Sequence, residues 1–330
     1  MDLLHPAAPD RSSRFESRRC VESRAGALAA LLTVCVAIAA LLLPGAARAQ
    51  DLEPRSYSNS PVGLNFALAG YAYTEGSVSF DPAVPLTNAN LHTNSLVLGY
   101  SRSFALWGNS ASFAVAVPYT KLAGSALYVG QPKTREIAGF GDPRFRISTN
   151  FYGSPALSAK EFGGYRQDLI IGASFVVSAP WSQNDPTRLV NIGTNRWGFK
   201  SEIGVSKAWG SWILEIAPGV TFFTDNDNFL NGGKLQQDPL YSVQGHLVHL
   251  FSGGVWAAFD TTFYAGGRTT INGDKGDTFQ AATRAGVTVS IPVDRYNSVK
   301  LYGSGGTSSR TGSSYNAVGV AWQYRWGGGF

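Results

Sequence analysis

The chain reads as an all-β protein, a transmembrane antiparallel β-barrel of about 12 strands behind a cleaved N-terminal signal peptide. Three observations predict this. Only 15% of the 330 residues are charged while 44% are hydrophobic, against about 25% charged in ordinary soluble domains, so the chain is poorly equipped to clothe a soluble surface. Apolar residues recur at every second position over about twelve stretches, the period of strands with two unlike faces. The connections between these stretches alternate short and long, as in membrane barrels with short periplasmic turns and long extracellular loops.

Residues 1–49 read as the signal peptide. Arg11, Arg14, Arg18, Arg19 and Arg24 precede an uncharged apolar run from Ala25 to Leu43, followed by Pro44-Gly45 and the small-residue site Ala47-Arg48-Ala49. A retained membrane anchor is the alternative, because the run is long for a signal. Ser17-Arg18-Arg19 is a weak twin-arginine signal. The leader holds 6 of the 27 basic and 4 of the 22 acidic residues, so residues 50–330 carry a net charge of +3 rather than +5. Cys20 and Cys35 leave with it, which excludes thiolate metal sites and cysteine nucleophiles from the mature chain.

The 8 Trp, 14 Tyr and 19 Phe exclude disorder. Beyond the leader no apolar run approaches the ~18 residues of a spanning helix. Lys and Arg are scattered rather than clustered, so nucleic acid is not an expected partner.

Taken in order, strands fall near 62–74, 94–105, 111–123, 143–152, 167–179, 195–207, 211–223, 239–251, 254–266, 279–292, 297–305 and 315–330. The first has Val62, Leu64, Phe66 and Leu68 on one face and Gly63, Asn65, Ala67 and Ala69 on the other. Short turns at Trp107-Gly108-Asn109, Ala208-Trp209-Gly210, Phe251-Ser252-Gly253-Gly254 and Val293-Asp294-Arg295-Tyr296 follow from their Gly, Asn or Asp content. The long connections are 75–93, 124–142, 180–194, 224–238, 267–278 and 306–314. Segment 153–166 breaks the alternation, being long where a periplasmic turn is expected.

The faces favour lipid over water. The last strand sets Val318, Val320, Trp322, Tyr324 and Trp326 against Ala317, Gly319, Ala321, Gln323 and Arg325, and the tenth sets Phe279, Ala281, Ala285, Val287, Val289 and Ile291 against Gln280, Ala282, Arg284, Gly286, Thr288 and Ser290. Bulky residues outside and small or polar ones inside make a membrane barrel; a soluble sandwich, the alternative, leaves the aromatic content and low charge unexplained. Trp107, Trp212 and Trp326, near the short turns, form an expected interfacial girdle. One domain spans 50–330, with both termini on the periplasmic side and barrel-assembly machinery and outer-membrane lipid as expected partners. The terminal Phe330, in step with the aromatic face, resembles the assembly signal of outer-membrane barrels.

Three motifs carry a closer resemblance. Asp51-Leu52-Glu53-Pro54-Arg55 leading into Val62-Gly63-Leu64-Asn65-Phe66, the turn Gly139-Phe140-Gly141-Asp142-Pro143-Arg144, and Asn191-Ile192-Gly193-Thr194-Asn195-Arg196-Trp197 resemble the outer-membrane β-barrel transporter family named for a MetA-type pathway of phenol degradation. The resemblance covers nearly all of the mature chain. It implies a barrel of the bacterial outer membrane that passes aromatic or other hydrophobic compounds, and it fixes no binding residues.

The residues offer little to a catalyst. His246 and His249 lie three apart on a strand and point to opposite faces, His92 is alone, and no G-x-S-x-G elbow is present. Asp225-Asn226-Asp227-Asn228 fails the calcium-loop pattern, since Phe229 and Leu230 stand where an acid and Gly are required. Asn272-Gly273-Asp274-Lys275-Gly276-Asp277 reads as a loop tip, and Gly303-Ser304-Gly305-Gly306 lacks the helix of a phosphate loop. The expectation is therefore no enzyme, no cofactor and no metal.

The inward charges carry the functional reading. With the small or polar face turned inward, Arg144, Arg146, Arg196, Lys200, Arg284, Lys300 and Arg325 enter the lumen with Glu202, Glu215 and Asp260. Strand order places Arg144, Arg146 and Arg196 toward the extracellular half and Lys200, Glu202, Asp260 and Arg284 nearer mid-height. Such groups either brace the wall as pairs or favour anions in the passage. The expected function is passive transport of small solutes, aromatic or organic-acid compounds; a structural or adhesion barrel using its long loops is the alternative.

Overall fold

A computed structural model of the protein describes residues 53–77, 86–128, 130–188, 190–309 and 314–329. The expected signal peptide and Phe330 lie outside them. The wall is a closed antiparallel barrel of twelve staves, in the order β1 (Leu64–Ser77), β2 (Leu86–Leu106), β3 (Asn109–Tyr128), β4 (Gln131–Phe140) with β5 (Arg144–Tyr152), β6 (Leu169–Ser178), β7 (Gly198–Trp209), β8 (Trp212–Phe223), β11 (Leu240–Leu250), β12 (Trp256–Gly266), β15 (Gln280–Pro292), β16 (Asn297–Ser309) and β17 (Ser314–Gly327). Closure runs through β1 and β17, paired from Leu64↔Gly327 to Ser77↔Ser314. No edge is then left along that seam to recruit another chain.

The pleat decides which side meets lipid. Along β8 and β11 exposed and buried residues alternate, and the exposed set is apolar: Ile216, Leu214, Val243 and Leu247 there, Leu98, Phe259 and Val318 elsewhere. Exposing such a belt to water would cost about 25 cal/mol per Å² of apolar surface, and lipid removes that cost. At the short-turn end the belt closes in aromatics. Trp322, Tyr324 and Trp326 stack in sequence, and His249 sits between Trp212 and Phe251 at 4.5 Å from each.

β1 inverts the size rule. Its register sets Ala67 beside Tyr100 and Tyr324, and Ala69 beside Leu98 and Trp322, all on the lipid face. Leu64, Phe66 and Leu68 therefore point inward. The bulky neighbours on both sides already cover the outer surface, so small residues suffice on β1.

Three connections hold more structure than their composition announces. Segment 124–142, expected as a loop, is a hairpin: β3 extends to Tyr128, and β4 pairs with it from Tyr119↔Phe140 to Tyr128↔Gln131. Its upper part stands clear of the belt and carries Lys133, Arg135 and Glu136, which hide the alternation. β5 resumes the same stave lower down, at Ala116↔Arg144, after the break at Gly141-Asp142-Pro143. Loops 224–238 and 267–278 pair with each other through β9 (Asn226–Phe229), β10 (Gly233–Gln237), β13 (Thr269–Ile271) and β14 (Asp274–Lys275), a four-stranded sheet above the barrel with Phe229 and Leu235 as its small core.

The long turn 153–168 holds α1 (Ala159–Phe162), started by a capping box between Ser158 and Glu161. The turn also holds the chain that precedes β1. The Leu157 carbonyl accepts the Val62 amide at 2.9 Å, and the Pro155 carbonyl accepts Asn59 Nδ2 at 3.2 Å.

Candidate functional site: the filled lumen

The barrel is occupied by its own chain. Residues 53–63 run inside the wall toward β1, and Tyr57, 1% exposed, anchors them. Its hydroxyl donates to Glu202 Oε1 at 2.9 Å, and its carbonyl accepts Asn150 Nδ2 at 3.2 Å. The ring lies where Gly172 and Gly204 leave the wall bare, and a Cβ added at Gly204 would collide with it. Arg55 takes a left-handed φ of 67° and donates its amide to Glu215 Oε2 at 2.6 Å. A non-glycine residue held there is costly unless its surroundings fix it.

Glu202 joins this segment to the wall. Besides Tyr57 it accepts Gln244 Nε2 at 2.8 Å, pairs with Lys200 at 2.7 Å and lies 3.9 Å from Arg146, which also pairs with Glu53 at 2.5 Å. Arg146, Lys200 and Glu202 are thus one cluster. Arg146 and Lys200 share a cross-strand row through Val176. On neighbouring strands Ser206 donates to Glu215 Oε1 at 2.9 Å, while Asp260 is bound by His246 Nδ1 and Thr288 Oγ1, each at 2.7 Å. Beneath these groups Ile213, Val248, Trp256 and Ala258 form an apolar cluster. Buried charges require such partners.

The other sequence-selected residues stand apart. Arg284, 2% exposed, hydrogen-bonds Ser304 and lies 5.2 Å from the Tyr315 ring. Arg196, at the extracellular mouth, donates to Gln237 Oε1 at 2.6 Å over the Phe223 ring. Arg144 is exposed at the head of β5.

A second segment folds over the extracellular end, between β6 and β7. Asp142, in the break of the β4–β5 stave, accepts the amides of Ser182 at 3.2 Å and Thr194 at 2.9 Å, and the Thr194 hydroxyl at 3.1 Å. Val190 packs against the cluster formed by Leu91, Leu122, Tyr315 and Ala317, and its carbonyl accepts Arg135 Nε at 3.1 Å. Within this cap the Thr187 hydroxyl and amide hold the Asp185 carboxyl below the usual carboxylate range.

Residues 63–324 match the family described as "Putative MetA-pathway of phenol degradation". The chain belongs to that family. Among solved structures, the COG4313 outer membrane channel from Pseudomonas putida F1 superposes with a TM-score of 0.72 at 17% identity, over 84% of this chain and 100% of that one. The translocator domain of the autotransporter NalP from Neisseria meningitidis gives 0.48 at 9% identity, over 82% and 91%. No curated protein matches the sequence significantly. The fold is that of a barrel of the bacterial outer membrane.

In this family member each of the three motifs named from sequence includes chain outside the wall or an anchor for it. Glu53 and Arg55 belong to the inner segment, Asp142 to the stave break, and Thr194 and Arg196 to the cap. Sequence reasoning missed Tyr57, Gln244, Asp142 and Thr194 as functional positions. Asp142, between Gly141 and Pro143, and Thr194 stood in the sequence only as members of the resembling motifs, and nothing singled out Tyr57 or Gln244.

Proposed function

We propose that the barrel is a passive passage across the outer membrane for small solutes with an apolar body, aromatic compounds and organic acids among them. The observation that carries this is the lumen: a polar inner wall under an apolar outer belt, filled at its periplasmic side by residues 53–63 on side-chain hydrogen bonds and ion pairs rather than by wall strands. A barrel of ~8 strands is filled by its own side chains and one of ~16 is open, so twelve leaves room for a narrow route beside or past this segment. Family membership supports the aromatic part. The test is uptake into proteoliposomes of benzoate, benzyl alcohol and a neutral sugar of similar size. Measured as the excess over protein-free vesicles, passage of the aromatic solutes ahead of the sugar is expected; vesicles no more permeable than protein-free ones would refute a passage and leave a structural or adhesive barrel.

A further inference from the structure

The basic groups of the lumen are not equivalent. Arg146 and Lys200 are bound to Glu53 and Glu202. Arg284 is not: among the described residues it has no carboxylate partner, it hydrogen-bonds Ser304 Oγ, and its Nη1 is buried without an acceptor. Beside it, in register on β12, stands Thr262, fully buried with a hydroxyl that also lacks a partner, and Ser242 Oγ, one row above on β11, is in the same state. Three buried donors with unmet hydrogen bonds on three adjoining strands are a costly arrangement, since each has given up its water without a replacement.

Their chemistry is complementary to one kind of group. A guanidinium N–H and two hydroxyls offer donors to an anion with more than one acceptor oxygen, and Arg is well suited to carboxylates. An apolar surface adjoins it: the Tyr315 ring over Arg284 packs with Leu91, Leu122 and Ala317, and Ile137 and Val190 of the extracellular side complete the cluster. We infer that Arg284, with Thr262 and Ser242, is a binding station for the carboxylate of an aromatic or otherwise apolar acid, whose body lies against the Tyr315 cluster. This rests on the reading of the barrel as a passage and names its solute class; it also assigns selectivity to Arg284 rather than to Lys200 or Arg146.

The experiment is calorimetric titration of the purified barrel in detergent with benzoate and, separately, with benzyl alcohol, for wild type, Arg284→Gln and Thr262→Val, each shown folded by heat-modifiable migration. Wild type is expected to bind benzoate at least about tenfold more tightly than benzyl alcohol, the size of one charged hydrogen bond. Arg284→Gln should erase that preference, and Thr262→Val should reduce it several-fold, with benzyl alcohol unaffected in both. Equal affinity for the two ligands in wild type, or a preference that survives Arg284→Gln, would overturn the proposal and leave Arg284 a packing partner of Tyr315. Should Arg284→Gln not assemble, the wild-type comparison and Thr262→Val decide. Failure of the passage itself would show separately, as proteoliposomes no more permeable to benzoate than protein-free vesicles while detergent-phase binding persists.

Discussion

The wall and the chain inside it are built on different principles, and β7 beside residues 53–63 shows how. β7 alternates buried and exposed positions almost without exception, with Lys200, Glu202 and Ser206 inward and Ile203 and Val205 toward lipid. Residues 53–63 belong to no strand. They carry a left-handed Arg55, one buried tyrosine and contacts to wall residues about 90 to 160 positions away in sequence. The wall is held by a repeating ladder that tolerates local change, whereas the inner segment hangs on a few specific side-chain contacts. The segment should therefore detach under perturbations that leave the barrel intact.

The largest expected effect is at Tyr57. Tyr57→Ala removes a fully buried ring and the hydroxyl bond to Glu202, a loss of roughly 3 kcal/mol or more for a truncated core aromatic. Native-state protease digestion should then cut within 53–63 while heat-modifiable migration of the barrel persists. Simultaneous loss of both would show that segment and wall form one cooperative unit and would break the comparison.

A more local effect is expected at the extracellular cap. Asp142→Ala deletes the acceptor of three hydrogen bonds from Ser182 and Thr194, where each bond to a charged group is worth about 1.5 to 3 kcal/mol. Amide exchange should quicken across 179–197 and stay unchanged in β7 and β8. If exchange does not change in 179–197, the Val190 and Ile192 contacts hold the cap without Asp142.

The legibility of the sequence follows the same division. Period two gives β7, β8, β11, β12 and β15 within a few residues, because each has one face in lipid and one in the lumen. It fails for β4, which stands in water on the extracellular side; it finds β1 but the size rule reverses its faces, because neighbouring aromatics free the outer face for alanines. Charge and face together brought out Arg146, Lys200, Glu202, Asp260 and Arg284 as inward groups, but the bonds of Arg146 to Glu53 and of Glu202 to Tyr57 and Gln244 join distant parts of the chain, which no local pattern records. Tyr57 and Gln244 are invisible for that reason: each is defined by what it touches.

The smallest effect belongs to the sheet above the barrel. Lys234 hydrogen-bonds Asp225 at 2.7 Å and holds its carboxyl below the usual carboxylate range, and the lysine is raised in return. A depressed carboxylate contributes order that is present above its unfolded pKa and disappears as pH falls through the folded value, so the window lies below about pH 4. The lysine's share is complete below its usual pKa and disappears above its raised one. Lys234 is exposed and Asp225 half-buried, so salt should weaken the pair. Amide exchange in β9 and β10 should quicken at acid pH and not between pH 5 and 9, and Lys234→Met should abolish the acid response; an unchanged response would assign it to another group.

The central claim is that the lumen is filled by removable chain rather than by the wall. Single-channel conductance in planar bilayers tests it most directly, comparing the intact protein with a variant lacking residues 53–61 that retains the heat-modifiable migration of a folded barrel. The account predicts a several-fold larger conductance for the shortened chain, with the Lys200–Glu202 pair left on the wall. Equal conductances from two folded barrels would contradict it and place the resistance in the wall or in the extracellular cap.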